Sequence, residues 1–193
     1  MKLIFATGNK GKLREAAEIL TGCELLTPAD FGITDDIEET GITFKENSII
    51  KARYIYERTG MDCFADDTGL EVDCLGGAPG VYSARYAGEG HDFAANIEKL
   101  LCEMGSCENR KARFRNVVTL ILGGKEYYFE GLMEGRIALE PRGTKGFGYD
   151  PVFIADEHPE GTMGELGPEL KNEISHRGKS LRAMAEFIAS LEK

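Results

Sequence analysis

Leu3-Ile4-Phe5-Ala6 is a short, continuously apolar run, the pattern of a strand buried on both faces. The run breaks at Thr7-Gly8-Asn9-Lys10-Gly11-Lys12, after which Leu13, Ala16, Ala17 and Leu20 recur at helical spacing. Glu24-Leu25-Leu26 reads as a second strand. A helix is predicted from Thr43, where Thr43 and Glu46 have the spacing of a capping box. Phe44, Ser48, Ala52, Ile55 and Tyr56 form its apolar face, while Asn47 and Lys51, four apart, share another. Phe93, Ile97, Leu100, Leu101 and Met104 predict a further amphipathic helix. Residues 112–122 read as a long strand, turned at Gly123-Gly124 into an antiparallel return over 126–131. Pro151 opens a strand over residues 152–155. Leu181, Met184, Ala185, Ile188 and Leu191 face the core of a closing helix, which Ser175 is placed to cap.

Four stretches do not fit a plain scaffold. Thr7 to Lys12 is a strand–glycine turn–helix start carrying two lysines, an arrangement that suits a phosphate, although it lacks the residues of a Walker A loop. In Cys63-Phe64-Ala65-Asp66-Asp67-Thr68-Gly69-Leu70-Glu71-Val72 an apolar run ends in two carboxylates, followed by a Thr-Gly turn and a second apolar segment. Charge at the end of a buried strand is costly. A divalent cation held for work on phosphate accounts for it, and an ordinary Asp-rich turn is the alternative. Phe147 and Tyr149 lie among Gly143, Gly146 and Gly148, which suits either stacking on a planar base or plugging the core. His176 and Arg177 are expected in the first turn of the last helix, where a positive charge opposes the dipole by roughly 0.3–1 kcal/mol. A ligand for the pair would explain that cost.

Composition narrows the classes. A chain of 193 residues, 42% hydrophobic and 29% charged, has the size and balance of one globular domain, or of two lobes sharing a sheet. Its net charge of −10 argues against a nucleic-acid duplex or an anionic membrane as partner, but leaves room for a small polyanion held by a local cluster of lysine and arginine. No apolar run reaches membrane-spanning length, and Met1-Lys2-Leu3-Ile4-Phe5 leads directly into the first strand rather than into a signal peptide. Five cysteines without CxxC spacing read as reduced thiols, which points to the cytoplasm.

The odd stretches together resemble the inosine triphosphate pyrophosphatases, which remove deaminated purine nucleoside triphosphates. The resemblance runs in order from about residue 3 to about residue 190. It rests on ATGNKGKLRE, EETGITFKENSIIKA, ADDTGLEVDCLGGAPGVYSARYAG, GFGYDPVF and ISHRGKSL. It implies an α/β fold with a long mixed central sheet flanked by helices, two lobes with an active-site cleft between them, one family domain over residues 1–193, and a homodimer. The implied reaction is Mg2+-dependent hydrolysis of ITP, dITP or XTP to the monophosphate and pyrophosphate. Thr7, Gly8, Asn9, Lys10, Gly11 and Lys12 would hold the triphosphate, with Lys51. Glu38 or Glu39, with Asp66 and Asp67, would hold Mg2+, and Asp67 would be the proton acceptor. Thr68 would touch substrate, where relatives often carry Ser. Phe147, Gly148, Tyr149 and Asp150 would line the base pocket, Phe147 by stacking, and Lys171, His176 and Arg177 would complete the contacts.

The residue types agree with that chemistry. A carboxylate can accept the proton of an attacking water, and lysines offset the charge that grows on pyrophosphate. Adjacent carboxylates repel unless a cation lies between them, so the metal is expected to arrive with substrate. Donors such as His176 or Arg177 would favour a 6-oxo purine, because a 6-amino group leaves each unpaired at a cost of about 1–3 kcal/mol. Two rivals are a pyrophosphatase of the septum-inhibition type preferring dTTP, against which the GFGYD and SHRGKS motifs speak, and a non-catalytic nucleotide sensor.

Overall fold

The computed structural model describes residues 1–191. The opening apolar run becomes strand β1 (Lys2–Phe5), with Leu3, Ile4 and Phe5 fully buried, as a strand covered on both faces requires. It pairs in parallel with β2 (Glu24–Leu26) on one side and β3 (Cys63–Val72) on the other. Parallel neighbours need crossovers, and these are helices α1 (Lys10–Ile19) and α2 (Phe44–Thr59). The predicted capping box starts α2: Thr43 Oγ1 accepts from the Glu46 N–H at 3.1 Å, and Glu46 Oε2 accepts from the Thr43 N–H at 3.1 Å. Strands β4 (Lys111–Leu122) and β5 (Lys125–Ile137) form the Gly123-Gly124 hairpin, and β6 (Phe153–Ala155) pairs antiparallel with β5. The result is one mixed six-stranded sheet, ordered β2-β1-β3-β4-β5-β6. Helices α3 (Phe93–Met104), α4 (Pro168–Ile174) and α5 (His176–Leu191) complete the regular structure.

Two local expectations need correction. The chain does not turn at Thr68-Gly69. Strand β3 continues through all 10 residues, so Asp66 and Asp67 sit mid-strand. Isolated carboxylates would break such a strand, and these persist because cations and amides meet them. The return strand also runs past residue 131 to Ile137, with Met133, Gly135 and Ile137 alternately inward. At Gly135 a Cβ would lie 2.2 Å from the Ile154 carbonyl oxygen, so the approach of β6 requires glycine there.

The chain divides into two compact units, each with its own core. The first comprises Met1–Asp67, Asn116–Gly131 and the chain from Arg177 onward; the second comprises Thr68–Arg115 and Leu132–His176. In the first, Leu3, Phe5, Phe64, Val118, Leu181 and Met184 form one cluster, within which the Phe5 and Phe64 rings stack with centroids 4.3 Å apart. Ile4, Ala52, Ile55, Cys63 and Ile121 form another cluster of this unit. In the second, Leu70, Leu100, Phe114, Met133, Tyr149 and Phe153 belong to one cluster. Among the described residues no helix is long and apolar enough to cross a membrane.

Candidate active site

The predicted site residues divide between the units at two covalent junctions, Asp67-Thr68 and His176-Arg177. In the first unit, the phosphate-type turn is organised by Asn9. Its side chain caps α1 by accepting from the Gly11 N–H at 2.8 Å and the Lys12 N–H at 3.2 Å, and its own N–H donates to Thr7 Oγ1 at 3.1 Å. The two lysines of the turn part company. Lys10 is exposed, whereas Lys12 reaches inward to Asp66 Oδ1 at 2.9 Å.

Asp66 and Asp67 alternate across β3, as strand neighbours must, and meet different partners. Asp66 receives Lys12 on Oδ1 and the Arg177 Nε on Oδ2 at 3.0 Å. Arg177 is itself held by Glu15, through Nη1 to Oε2. With its amide oriented by its neighbours, Asn116 adds a donor to Asp66 Oδ2 at 2.9 Å and another to the Asp67 carbonyl at 3.2 Å. Burial alone would raise the Asp66 pKa, but Lys12, Arg177 and Lys51 outweigh it and hold the carboxyl far below the usual range. Burial likewise works against the charge of Arg177, and Asp66 and Glu15 more than restore it. Asp66 is therefore a permanent anion in a neutralised network.

Asp67 is different. It accepts from Asn47 Nδ2 at 3.1 Å and lies 3.8 Å from Lys51 Nζ, which sits 2.8 Å from Glu39 Oε1. Burial raises its pKa, Lys51 pulls it down, and the Glu39 carboxylate pushes it up again, for a net upward shift. Asn47 and Lys51 share a helix face, as their spacing predicts, and that face reaches Asp67. Asn47 Oδ1 also accepts from the Gly41 N–H at 2.8 Å, tying the acidic loop to α2. Of the two glutamates expected near the metal, Glu39 joins this group and Glu38 is exposed.

The donor set fits a hard divalent cation. Glu39 and Asp67 supply carboxylate oxygens that both lie within 4 Å of one cationic atom, the Lys51 ammonium. Both oxygens of Asp66, also expected as a ligand, are occupied by Lys12 and Arg177. Among the described residues no group of three or more His, Cys, Asp or Glu is arranged around a metal position. Mg2+ commonly takes one or two carboxylates and fills its shell with water and substrate phosphates.

In the second unit, Asp150 is the organising residue. Its Oδ2 accepts from the Phe147 N–H at 2.8 Å and from Lys171 Nζ at 2.9 Å, and that ammonium lies 4.5 Å from the centre of the Phe147 ring. Gly146 makes the turn possible. Its φ is +77°, and a Cβ there would fall 2.1 Å from Asp150 Oδ2. Phe147 is half-buried, as is Gly148, whereas Tyr149 packs into the core and donates its hydroxyl to the Ser83 carbonyl at 2.8 Å. The two aromatics thus divide the uses left open by the sequence. Thr68 Oγ1 donates to the Arg115 carbonyl at 3.0 Å, so its oxygen accepts from His176 Nε2 at 2.8 Å, which places a proton on that nitrogen. The His176 ring stacks on Phe114 at 4.8 Å.

The Ham1 family profile matches residues 3–187. The chain belongs to this family. The dITP/XTP pyrophosphatase of Christiangramia forsetii is 49% identical over 190 residues, spanning 98% of this chain and 100% of that protein. The dITP/XTP pyrophosphatase of Bacillus subtilis is 48% identical over 190 residues, spanning 96% of each. The solved Ham1 protein of Staphylococcus aureus has a TM-score of 0.91 at 37% identity, covering 100% of both chains. A HAM1 protein of Coxiella burnetii has a TM-score of 0.91 at 40% identity, over 98% of this chain and 99% of its own. This Ham1 protein is an enzyme of the nucleoside triphosphate pyrophosphatase class, as its motifs imply, and its mixed sheet with flanking helices is the family's fold.

Glu15 and Asn116 were not among the residues singled out from the sequence. Glu15 adjoins Ala16 on the inward side of α1, and Asn116 precedes the apolar Val117-Val118 in β4. A charged or amide side chain on an inward face needs a partner, and that was the available signal.

Proposed function

We propose that this protein hydrolyses deaminated purine nucleoside triphosphates (ITP, dITP and XTP) between the α and β phosphates, with Mg2+, releasing the monophosphate and pyrophosphate. The observation that carries the reading is Asp67, a buried carboxyl raised in pKa beside Lys51 and Glu39. Such a group is a suitable acceptor for the proton of an attacking water. The names of the curated relatives support the substrate class.

Glu39 and Asp67 would hold Mg2+, which when bound neutralises phosphate charge. Lys51 exchanges its carboxylate partners for phosphate oxygens, and Lys12 does the same while Arg177 keeps Asp66 neutralised. The turn from Thr7 to Lys10 presents exposed backbone to the triphosphate. Asp67 takes the proton from water as the α phosphorus is attacked. Phe147 stacks on the base, which Asp150 favours by fixing the loop backbone, Lys171 offers a donor to oxo groups, and His176 holds Thr68 beside the substrate through its Nε2 proton. Thr68 contacts the substrate by its methyl or hydroxyl oxygen, and Gly148 to Asp150 contribute backbone. A homodimer and a cytoplasmic location belong to the same reading.

The test is pyrophosphate release from ITP, XTP, dTTP, ATP and GTP, with Mg2+ and with EDTA, for the wild type and Asp67→Asn. Release from ITP and XTP that needs Mg2+ and is lost in the variant is the expected result. Preference for dTTP would overturn the base assignment, and full activity in Asp67→Asn would overturn the proton acceptor. Light scattering at assay concentration checks the dimer.

A further inference from the structure

The apolar stripe of α3 runs further than the core it covers. Ile97, Leu100 and Met104 are buried, as their helical spacing predicts. Phe93, four residues before Ile97 on the same stripe, is instead 42% exposed. It is the first residue of the helix, directly after the cap Asp92, whose Oδ1 accepts from the Ala94 N–H at 3.0 Å and the Ala95 N–H at 3.1 Å. The cap fixes this first turn, and side chains of a helix lean toward its N-terminus. There the Phe93 ring meets the Phe147 ring, with centroids 6.4 Å apart and planes tilted by 40°. That separation and tilt lie within the range of attractive aromatic pairs. Both rings belong to the second unit, and both are open to solvent in part. Phe147 stands between Gly146 and Gly148, which have no side chains to brace it. The Asp150 carboxylate fixes its N–H, and the Lys171 ammonium lies over its ring. Two partly exposed rings at one place leave apolar surface in water that a flat ring system can cover.

We propose that Phe93 is a positioning residue for the nucleobase, holding the Phe147 ring in the orientation on which the base stacks. This role rests on the stacking given to Phe147 under the proposed function, and it supplies that ring with a partner. A ring held in place before the base arrives loses less rotamer freedom on binding, so part of the affinity for the base comes from Phe93. The phosphate turn, Lys51, Glu39 and Asp67 all lie in the first unit, whereas Phe93 lies in the second. Its effect is therefore confined to the base end of a nucleotide.

The experiment titrates inosine monophosphate and, separately, pyrophosphate into the full-length protein with Mg2+ and reads both dissociation constants by calorimetry. The monophosphate carries the base and has no phosphoanhydride, so turnover does not enter. Phe93→Ala should weaken monophosphate binding by about two- to tenfold, the order that an aromatic pair contributes, and leave pyrophosphate binding unchanged. Phe93→Tyr should restore the monophosphate affinity. Because Phe93 acts through Phe147, adding Phe93→Ala to Phe147→Ala should cause no further loss. Wild-type monophosphate affinity in Phe93→Ala, an equal loss for pyrophosphate, or losses that simply add in the double variant would overturn the role of Phe93 while leaving base stacking on Phe147 in place. Wild-type affinity in Phe147→Ala, or a wild type that binds no monophosphate, would overturn the stacking itself and the role of Phe93 with it.

Discussion

The Nε of Arg177 donates to Asp66 Oδ2 at 3.0 Å, with both side chains almost fully buried. The arginine is thereby committed to a carboxylate of β3, and a second carboxylate, Glu15, closes on its Nη1. Of the adjacent acids Asp66 and Asp67, only the first has its charge cancelled in this way. The second keeps a carboxyl whose protonation responds to its surroundings, which a proton acceptor needs.

Replacing one aspartate should therefore cost stability and replacing the other should cost activity. Asp66→Asn leaves Arg177 and Lys12 short of a buried counter-charge, and breaking such a network typically costs about 3–5 kcal/mol. Asp67→Asn removes a carboxyl that is disfavoured in its charged form, so its unfolding midpoint should stay near that of wild type while kcat falls by about 10²–10⁴. Denaturant unfolding of both variants alongside steady-state assays checks the contrast. Equal destabilisation by the two would contradict it.

The acid limb of the pH–rate profile should lie above the ordinary aspartate value of about 3.9, because Asp67 must be ionised to accept a proton and its pKa is raised. Lys51 is the cation that pulls this pKa down most, ahead of Lys12. Lys51→Met leaves burial and Glu39 opposed only by the smaller effects of Lys12 and the Asn47 hydrogen bond, so the limb should move to still higher pH, whatever happens to the maximal rate. A limb that stays put or moves to lower pH would show that another group controls it.

Stability in acid should follow Asp66 instead. Its folded pKa lies below its unfolded value, so its contribution is complete well above about pH 4. That contribution fades as the pH falls from the unfolded value through the lowered folded one. Urea unfolding free energies measured through this window should drop with acid in the wild type and drop less steeply in Asp66→Asn.

The Gly146 turn should control base binding without disturbing phosphate binding. Gly146→Ala places a methyl group against Asp150 Oδ2, in a backbone conformation that L-residues rarely adopt, and so disturbs the carboxylate that fixes the Phe147 N–H and Lys171. We expect a raised KM for the nucleotide, with inhibition by inorganic pyrophosphate unchanged. Phe147→Ala should raise KM by about 5–150-fold, the equivalent of the roughly 1–3 kcal/mol that base stacking contributes. Phe147→Tyr should keep most of it.

Much of the scaffold was legible because it depends on neighbours close in sequence. The Thr43–Glu46 capping box, the period of α3 and the Gly-Gly hairpin are set by contacts within a few residues, and each forms as its pattern predicts. The motifs for phosphate, carboxylates and base loop were legible too, since their residue types are unusual where they stand. The continuity of β3 was not, because Asp-Asp-Thr-Gly has the local chemistry of a turn, and only distant partners make it a strand.

The sequence by itself determined most of the elements, the family and most of the residues from which a site could be built. The tertiary structure decided their roles. It gave Asp66 to Lys12 and Arg177, brought Glu39 rather than Glu38 to Lys51, recruited Glu15 and Asn116, and sent Tyr149 into the core while Phe147 stayed half-exposed. The physical reason is that a charge's state depends on burial and on ions within a few ångströms. Those neighbours come from α1, α2, β3, β4 and α5, elements that no local pattern relates to one another.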